Sequence, residues 1–311
     1  MMKEGPSSQG LALLLLVVLG VLWSLSYVLI KVSVPTVPPY TIVAGRIVIA
    51  AVLLLVYVRA IGDRLPPFGK AWVLIAGLGF FGNVLPFSLI SWGQQYIDAG
   101  LTAILLGMVP LFTMLMVQLA TREERPSLHG VLGILCGLSG LVILIGPDVL
   151  AGLGEHALAE LAVVTAASSY ALTTVLARRI GTGRAPASAL VMLLASAMIV
   201  PVSAAADRPW ALEPSAEAVA AILFMGAFST GLATIIFFRL VAMRGATFTS
   251  FVNYLIPPFG VAWSALFLGE TLDAAAAGAL VLIMAGVALA NRKPSRRAEA
   301  QPANPSTSRI P

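Results

Sequence analysis

Residues 253–272 read NYLIPPFGVAWSALFLGETL, and residues 107–126 read GMVPLFTMLMVQLATREERP. Each is an apolar run that carries proline near its start and stops at a glutamate. Pro110 and Pro257 are 147 residues apart, and so are Glu123 and Glu270. The same offset lays WSLSYVLIK, residues 23–31, over YALTTVLAR, residues 170–178, and pairs Lys31 with Arg178. It also lays LGFFGN from Leu78 over MGAFST from Met225, so Gly79 meets Gly226 and Asn83 meets Thr230. One offset, held without insertion over several segments, marks an internal duplication.

The composition says what is duplicated. Of 311 residues, 59% are hydrophobic and 11% charged, whereas a soluble domain carries about 25% charged residues. The apolar residues come in blocks of about 20, the length of helix that spans a hydrocarbon core of about 30 Å. The alternation of a transmembrane barrel is absent. The sequence therefore predicts an all-α integral membrane protein with ten spans: 11–30, 38–58, 71–92, 97–119, 127–146, 157–177, 186–205, 216–238, 245–268 and 273–290. The first block is read as a retained helix, because one lysine precedes it and no small-residue cleavage site follows. The repeats are predicted at 11–146 and 157–291, followed by a disordered basic tail at 292–311.

Charge orients the chain. With the N-terminus in the cytosol, 16 of the 19 lysines and arginines fall inside, Lys31 and Arg208 fall outside, and Arg46 lies within a span. That bias predicts a cell-membrane protein (the inner or plasma membrane) with both termini cytosolic. Five spans per half is an odd number, so the second half enters from the opposite side and the repeats are inverted. Two inverted halves that exchange conformations can open first to one side and then to the other. The basic residues lie between apolar runs, so no nucleic-acid partner is expected; the expected partners are the lipid bilayer and a small-molecule solute.

The motifs WSLSYVLIK, AGRIVIAAVLLL around Arg46, GQQYIDAGLTAILLGMVPLFTMLM and GATFTSFVNYLIPPFGVAWSALFLGE resemble, in this order, the ten-helix drug/metabolite transporter superfamily, EamA type. The resemblance spans residues 11–291 and implies a polytopic carrier, often an exporter of amino acids or other small metabolites. The alternatives are a membrane-embedded enzyme and a channel or scaffold. An enzyme would need a catalytic constellation, and the chain has no H-E-x-x-H, no paired intramembrane aspartates and no G-x-S-x-G. His129 and His156 lie near membrane edges, and no cofactor or metal site is read.

The candidate site residues follow from polarity in an apolar medium. Trp23, Tyr27, Asn83, Ser169, Tyr170, Thr230 and Asn253 are expected to line the solute path. Pro86, Pro110, Pro257 and Pro258 each leave a carbonyl without its helical donor, which a bilayer tolerates only beside protein or a wet cavity. They are read as kinks that gate the path, with static packing as the alternative. Arg46 is the one charge deep in a span. It is read as a structural group that caps freed carbonyls, with a substrate carboxylate or phosphate as the alternative partner. Glu123 and Glu270 are read as caps on the helices that follow them, facing positive helix N-termini, with a gate role as the alternative. Gly130, Gly133, Gly137 and Gly140 share a face, expected to pack on a neighbouring helix or to form a homodimer seam.

Overall fold

The computed structural model describes residues 6–120, 128–145, 155–178, 185–249, 251–271 and 274–290. Among these residues there is no strand. The first half holds α1 (Pro6–Ser33), α2 (Pro39–Ala60), α3 (Ala71–Gly79), α4 (Leu85–Gly93), α5 (Ala99–Leu106), α6 (Val109–Ala120) and α7 (Leu128–Ile145). The second holds α8 (Glu155–Arg178), α9 (Ala185–Ala206), α10 (Ala216–Phe224), α11 (Ala233–Thr249), α12 (Val252–Trp263) and α13 (Ala274–Ala290). A π-helical turn, Phe80–Val84, joins α3 to α4; a second, Met225–Leu232, joins α10 to α11; a third, Ser264–Leu268, ends α12.

Among the described residues six helices are long and apolar enough to cross a bilayer, from Gln9–Ser33 to Ala216–Arg244, and three shorter apolar helices accompany them. Leucines and valines such as Leu14, Val56, Leu223 and Val281 point outward, which fits a lipid rather than a water surface. Phe68 and Trp210 are 87% and 73% exposed in the α2–α3 and α9–α10 connections, where aromatic rings mark membrane–water interfaces. The chain is an all-helical, multi-pass membrane protein.

Local chemistry sets the helix ends. Pro39 opens α2 at a position whose N–H has no helical partner anyway. Ser215 caps α10 by accepting the N–H of Ala218 at 3.2 Å. Gly269, at φ 66°, turns the chain after the third π turn, a conformation glycine adopts without strain.

The packing carries the duplication. Helices α2 and α9, which align at the 147-residue offset, pack on each other, and so do α7 and α13. Helix α1 packs on α12, while its mate α8 packs on α5 and α6. Helix α4 packs on α8, while its mate α11 packs on α1. Exchanging the halves maps the α2–α9 and α7–α13 contacts onto themselves and the others onto one another, and all of these contacts cross between the halves.

One expectation changes here. The prolines do not break the two related helices alike. The first breaks at Gly107–Met108, ahead of Pro110, whereas α12 runs unbroken through Pro257 and Pro258. The glycine face of α7 is occupied by the chain's own α13. A Cβ on Gly286 would meet the Gly133 oxygen at 2.6 Å and the Gly137 nitrogen at 2.8 Å, and one on Gly140 would meet the Ala279 oxygen at 3.1 Å. That closeness is the packing on a neighbouring helix that the shared glycine face implies. The side chains about Gly130, together with Glu123 and the 292–311 tail, lie outside the described residues.

Candidate functional site

The two π turns joining α3 to α4 and α10 to α11 sit at equivalent repeat positions and carry Asn83 and Thr230. A π turn shifts the hydrogen-bond ladder by one residue and recurs at functional sites. The shift frees carbonyls that must find donors in a medium without water. The Ser169 hydroxyl donates to the Phe81 carbonyl at 2.6 Å, and the Thr234 hydroxyl donates to the Thr230 carbonyl at 2.6 Å. Pro86, buried at the start of α4, follows the first turn. Its repeat mate is Ala233, so the turn forms with or without a proline.

Arg46 ties these elements together. It is 5% exposed on α2. Its Nε–H donates to Thr230 Oγ1 at 2.8 Å and its Nη2–H to Ser26 Oγ at 3.4 Å. The guanidinium carbon lies 3.8 Å from the Phe87 ring centroid, a cation–π stack. Tyr27 and Tyr170 lie within electrostatic reach of the charge, and Tyr170 meets Phe87 edge-on at 6.4 Å. Arg46 thus joins α1, α2, α4 and the second π turn through hydroxyls and a ring. The expected carbonyl-capping role is not what the geometry shows: no backbone carbonyl accepts from it among the described residues.

Of the remaining path candidates, Trp23 stands apart, packed on Phe237 at 5.9 Å in the α1–α11 contact. Asn253 sits half-buried at the start of α12. Phe87 had no polarity to single it out. Its spacing, four residues after Asn83, places it on the Asn83 face of the helix.

A second group of charges gathers at the end of the bundle that holds Lys31. Glu270 accepts the N–H groups of Ala99 and Gly100, both at 3.1 Å, and also bonds Ser264 Oγ. It therefore caps α5, in the other half, rather than the helix that follows it. Asp207 acts likewise on α2, accepting from Thr41 N at 2.7 Å and Thr41 Oγ1 at 2.9 Å. Lys31 donates to the Gln94 and Ile97 carbonyls at 3.1 and 2.8 Å beyond the C-terminus of α4 and lies 3.8 Å from Asp98. Each places its charge where the helix dipole favours it. A cavity of about 210 Å³ at this end is lined by Asp98, Glu160, Ser264, Glu270 and Thr271. A second, of about 200 Å³, lies among Val37, Thr41, Gly45, Leu212 and Ile222.

The EamA-like transporter family matches the chain twice, over residues 10–146 and 157–292. An uncharacterized transporter of Bacillus subtilis, YoaV, is 24% identical over 89% of this chain and 95% of its own length. A probable terminal-alkyne amino-acid exporter of Streptantibioticus cattleyicolor is 25% identical over 92% of this chain and 95% of its own. A solved crystal structure, 21% identical, superposes with a TM-score of 0.65 over 91% of this chain and 97% of that one. It has the same fold.

Proposed function

The chain belongs to the EamA-like transporter family, and from that premise we propose that it is a secondary transporter. It moves a small metabolite such as an amino acid across the cell membrane by alternating access between two inverted halves, as an exporter or facilitator. Family and transporter-named relatives point to transport rather than catalysis. The observation that carries the reading is the pairing of two π turns, one per half, that bring Asn83 and Thr230 to equivalent repeat positions, the second of them held by the buried Arg46. A helix with a shifted ladder has weak points at which to bend, and two such helices at equivalent places can exchange shapes.

Repeats at 11–146 and 157–291 then alternate, with Trp23, Tyr27, Ser169, Tyr170 and Asn253 along the path and Pro257 and Pro258 at a flexing point. The charge bias puts the termini and the 292–311 tail in the cytosol and the Lys31 end outside. Glu270 fits a gate at that end, since it joins α5 of one half to the close of α12 in the other. Asp98 and Glu160, the acidic residues nearest a span interior, line the cavity at the Lys31 end. Arg46, the deep charge, does not cycle protons near neutral pH. The reading therefore favours exchange or facilitated diffusion over proton coupling.

The test is counterflow. Purified protein in liposomes, loaded in turn with unlabelled amino acids, nucleosides and vitamins, should take up the same labelled solute saturably. Flux that rises linearly with concentration and shows no acceleration by internal solute would overturn a carrier in favour of a channel.

A further inference from the structure

The geometry points to a substrate that carries a carboxylate, received by the free edge of the Arg46 guanidinium; the inference rests on the carrier reading and names the class of its solute.

The argument begins with charge. Arg46 is buried and permanently cationic. Its two acceptors, Thr230 and Ser26, are neutral hydroxyls, and Phe87 offers a ring face. Among the described residues the one ion pair joins Lys31 to Asp98. An isolated charge in a low-dielectric bundle costs several kcal/mol unless an anion meets it.

The donor count says where that anion goes. A guanidinium has five N–H groups. Thr230 takes Nε–H and Ser26 takes one Nη2–H. Both Nη1–H groups and the second Nη2–H have no acceptor among the described residues. Two parallel N–H vectors, one from each Nη, form the fork that accepts both oxygens of a carboxylate. Thr230 and the Phe87 stack hold the plane of that fork.

Polar groups on α4 and the two π turns are short of partners as well. The Ser88 and Ser229 hydroxyls, next in sequence to Phe87 and Thr230, are buried without a hydrogen bond among the described residues, as are the Ser91 hydroxyl and the Gln94 amide towards the end of α4. Asn83 is 8% exposed and makes no hydrogen bond among the described residues. A static core satisfies such groups. A site that trades partners as it fills and empties leaves them waiting. Tyr27, Tyr170 and Phe87 supply aromatic surface beside the charge, which suits a small carboxylate with an apolar or aromatic body.

Acid–amide pairs test this. The melting temperature of purified protein would be followed with acetate, benzoate and L-phenylalanine, against acetamide, benzamide and L-phenylalaninamide. At least one acid should raise the melting temperature saturably while its amide does not. This comparison uses the wild-type protein and needs no variant to fold. Arg46→Gln should weaken the apparent affinity for that acid about tenfold or more, whereas Arg64→Gln, in an exposed connection, should leave it unchanged. Stabilisation by none of the acids, equal stabilisation by an acid and its amide, or undiminished acid binding in a folded Arg46→Gln protein would each overturn the inference. The two readings fail separately. Saturable counterflow of amides or amines with no effect of any acid would sink the carboxylate and keep the carrier. Acid binding through Arg46 with no counterflow of any solute would do the reverse.

Discussion

The helix of residues 99–120 and the helix of residues 252–268 carry proline at the same repeat position, Pro110 and Pro257, yet fold differently. The first breaks at Gly107–Met108, so Pro110 falls in the first turn of α6. There the missing N–H has no helical partner to lose. In α12, Pro257 and Pro258 lie inside a continuous helix, where their ring nitrogens carry no proton to donate back along the ladder. The two meet each other. A Cβ on Gly107 would stand 3.0 Å from the Pro257 ring, and Gly260 lies against Ala103 and Tyr27. Gene duplication placed the prolines; the distance from each proline to its helix start decides what it does. One half has a break that proline follows, and the other a continuous helix that packs its proline against that break.

Four substitutions would break or sharpen this contrast. The largest effect is expected from Gly260→Val at the crossing. Its Cβ would press on Ala103 and come 3.3 Å from Tyr27 Cδ2. Both neighbours are on packed helices, so the overpacking should cost about 1–3 kcal/mol and show as a lower melting temperature and less monodisperse protein in detergent. Next comes Pro257→Ala with Pro258→Ala. An interior proline costs a helix about 3 kcal/mol, so the double variant should melt no lower than wild type while transport slows several-fold; an unchanged rate would make the prolines packing alone. Glu270→Gln removes the carboxylate that accepts two N–H groups at the start of α5. Loss of a charged cap should lower stability by about 1 kcal/mol, read as a small drop in melting temperature. Pro110→Ala should do least, within about 0.5 kcal/mol and with transport intact. A large loss there would mean that Pro110, not the Gly107–Met108 break, shapes the helix.

Much of this was legible in the chain. An apolar fraction of 59% leaves one solvent for the fold, and a fixed offset exposes the duplication even where few residues match. Arg46 stood out because a charge in an apolar span is costly. The structure brings Tyr27, Asn83, Tyr170 and Thr230 to Arg46 or to its π turns, and all of these had been singled out by polarity alone. The π turns themselves leave no such mark. In a helix apolar on every side, one extra residue per turn changes no periodicity that could be read. Phe87 went unnoticed for the same reason, as one apolar ring among many. The target of Glu270 was hidden differently. A helix N-terminus 170 residues away in sequence is adjacent only once the halves interleave, whereas sequence proximity points to the helix that follows. Lys31, on the sparsely basic side, is explained by the carbonyls it caps beyond α4.

Transport by opening and closing the two ends in turn can be tested directly at the Lys31 end. A Cβ on Gly100 would lie 3.4 Å from the Ser264 Cβ, close enough for a disulfide after a small adjustment. The pair Gly100→Cys and Ser264→Cys, with the native Cys136 replaced by serine, would tie α5 to the close of α12 across the two halves. Counterflow would be measured in liposomes before oxidation, after oxidation and after reduction. The account predicts transport in the reduced protein, loss of transport once the disulfide has formed, and recovery on reduction. Undiminished counterflow by the fully cross-linked protein would contradict it, since the solute would then cross without that end ever opening.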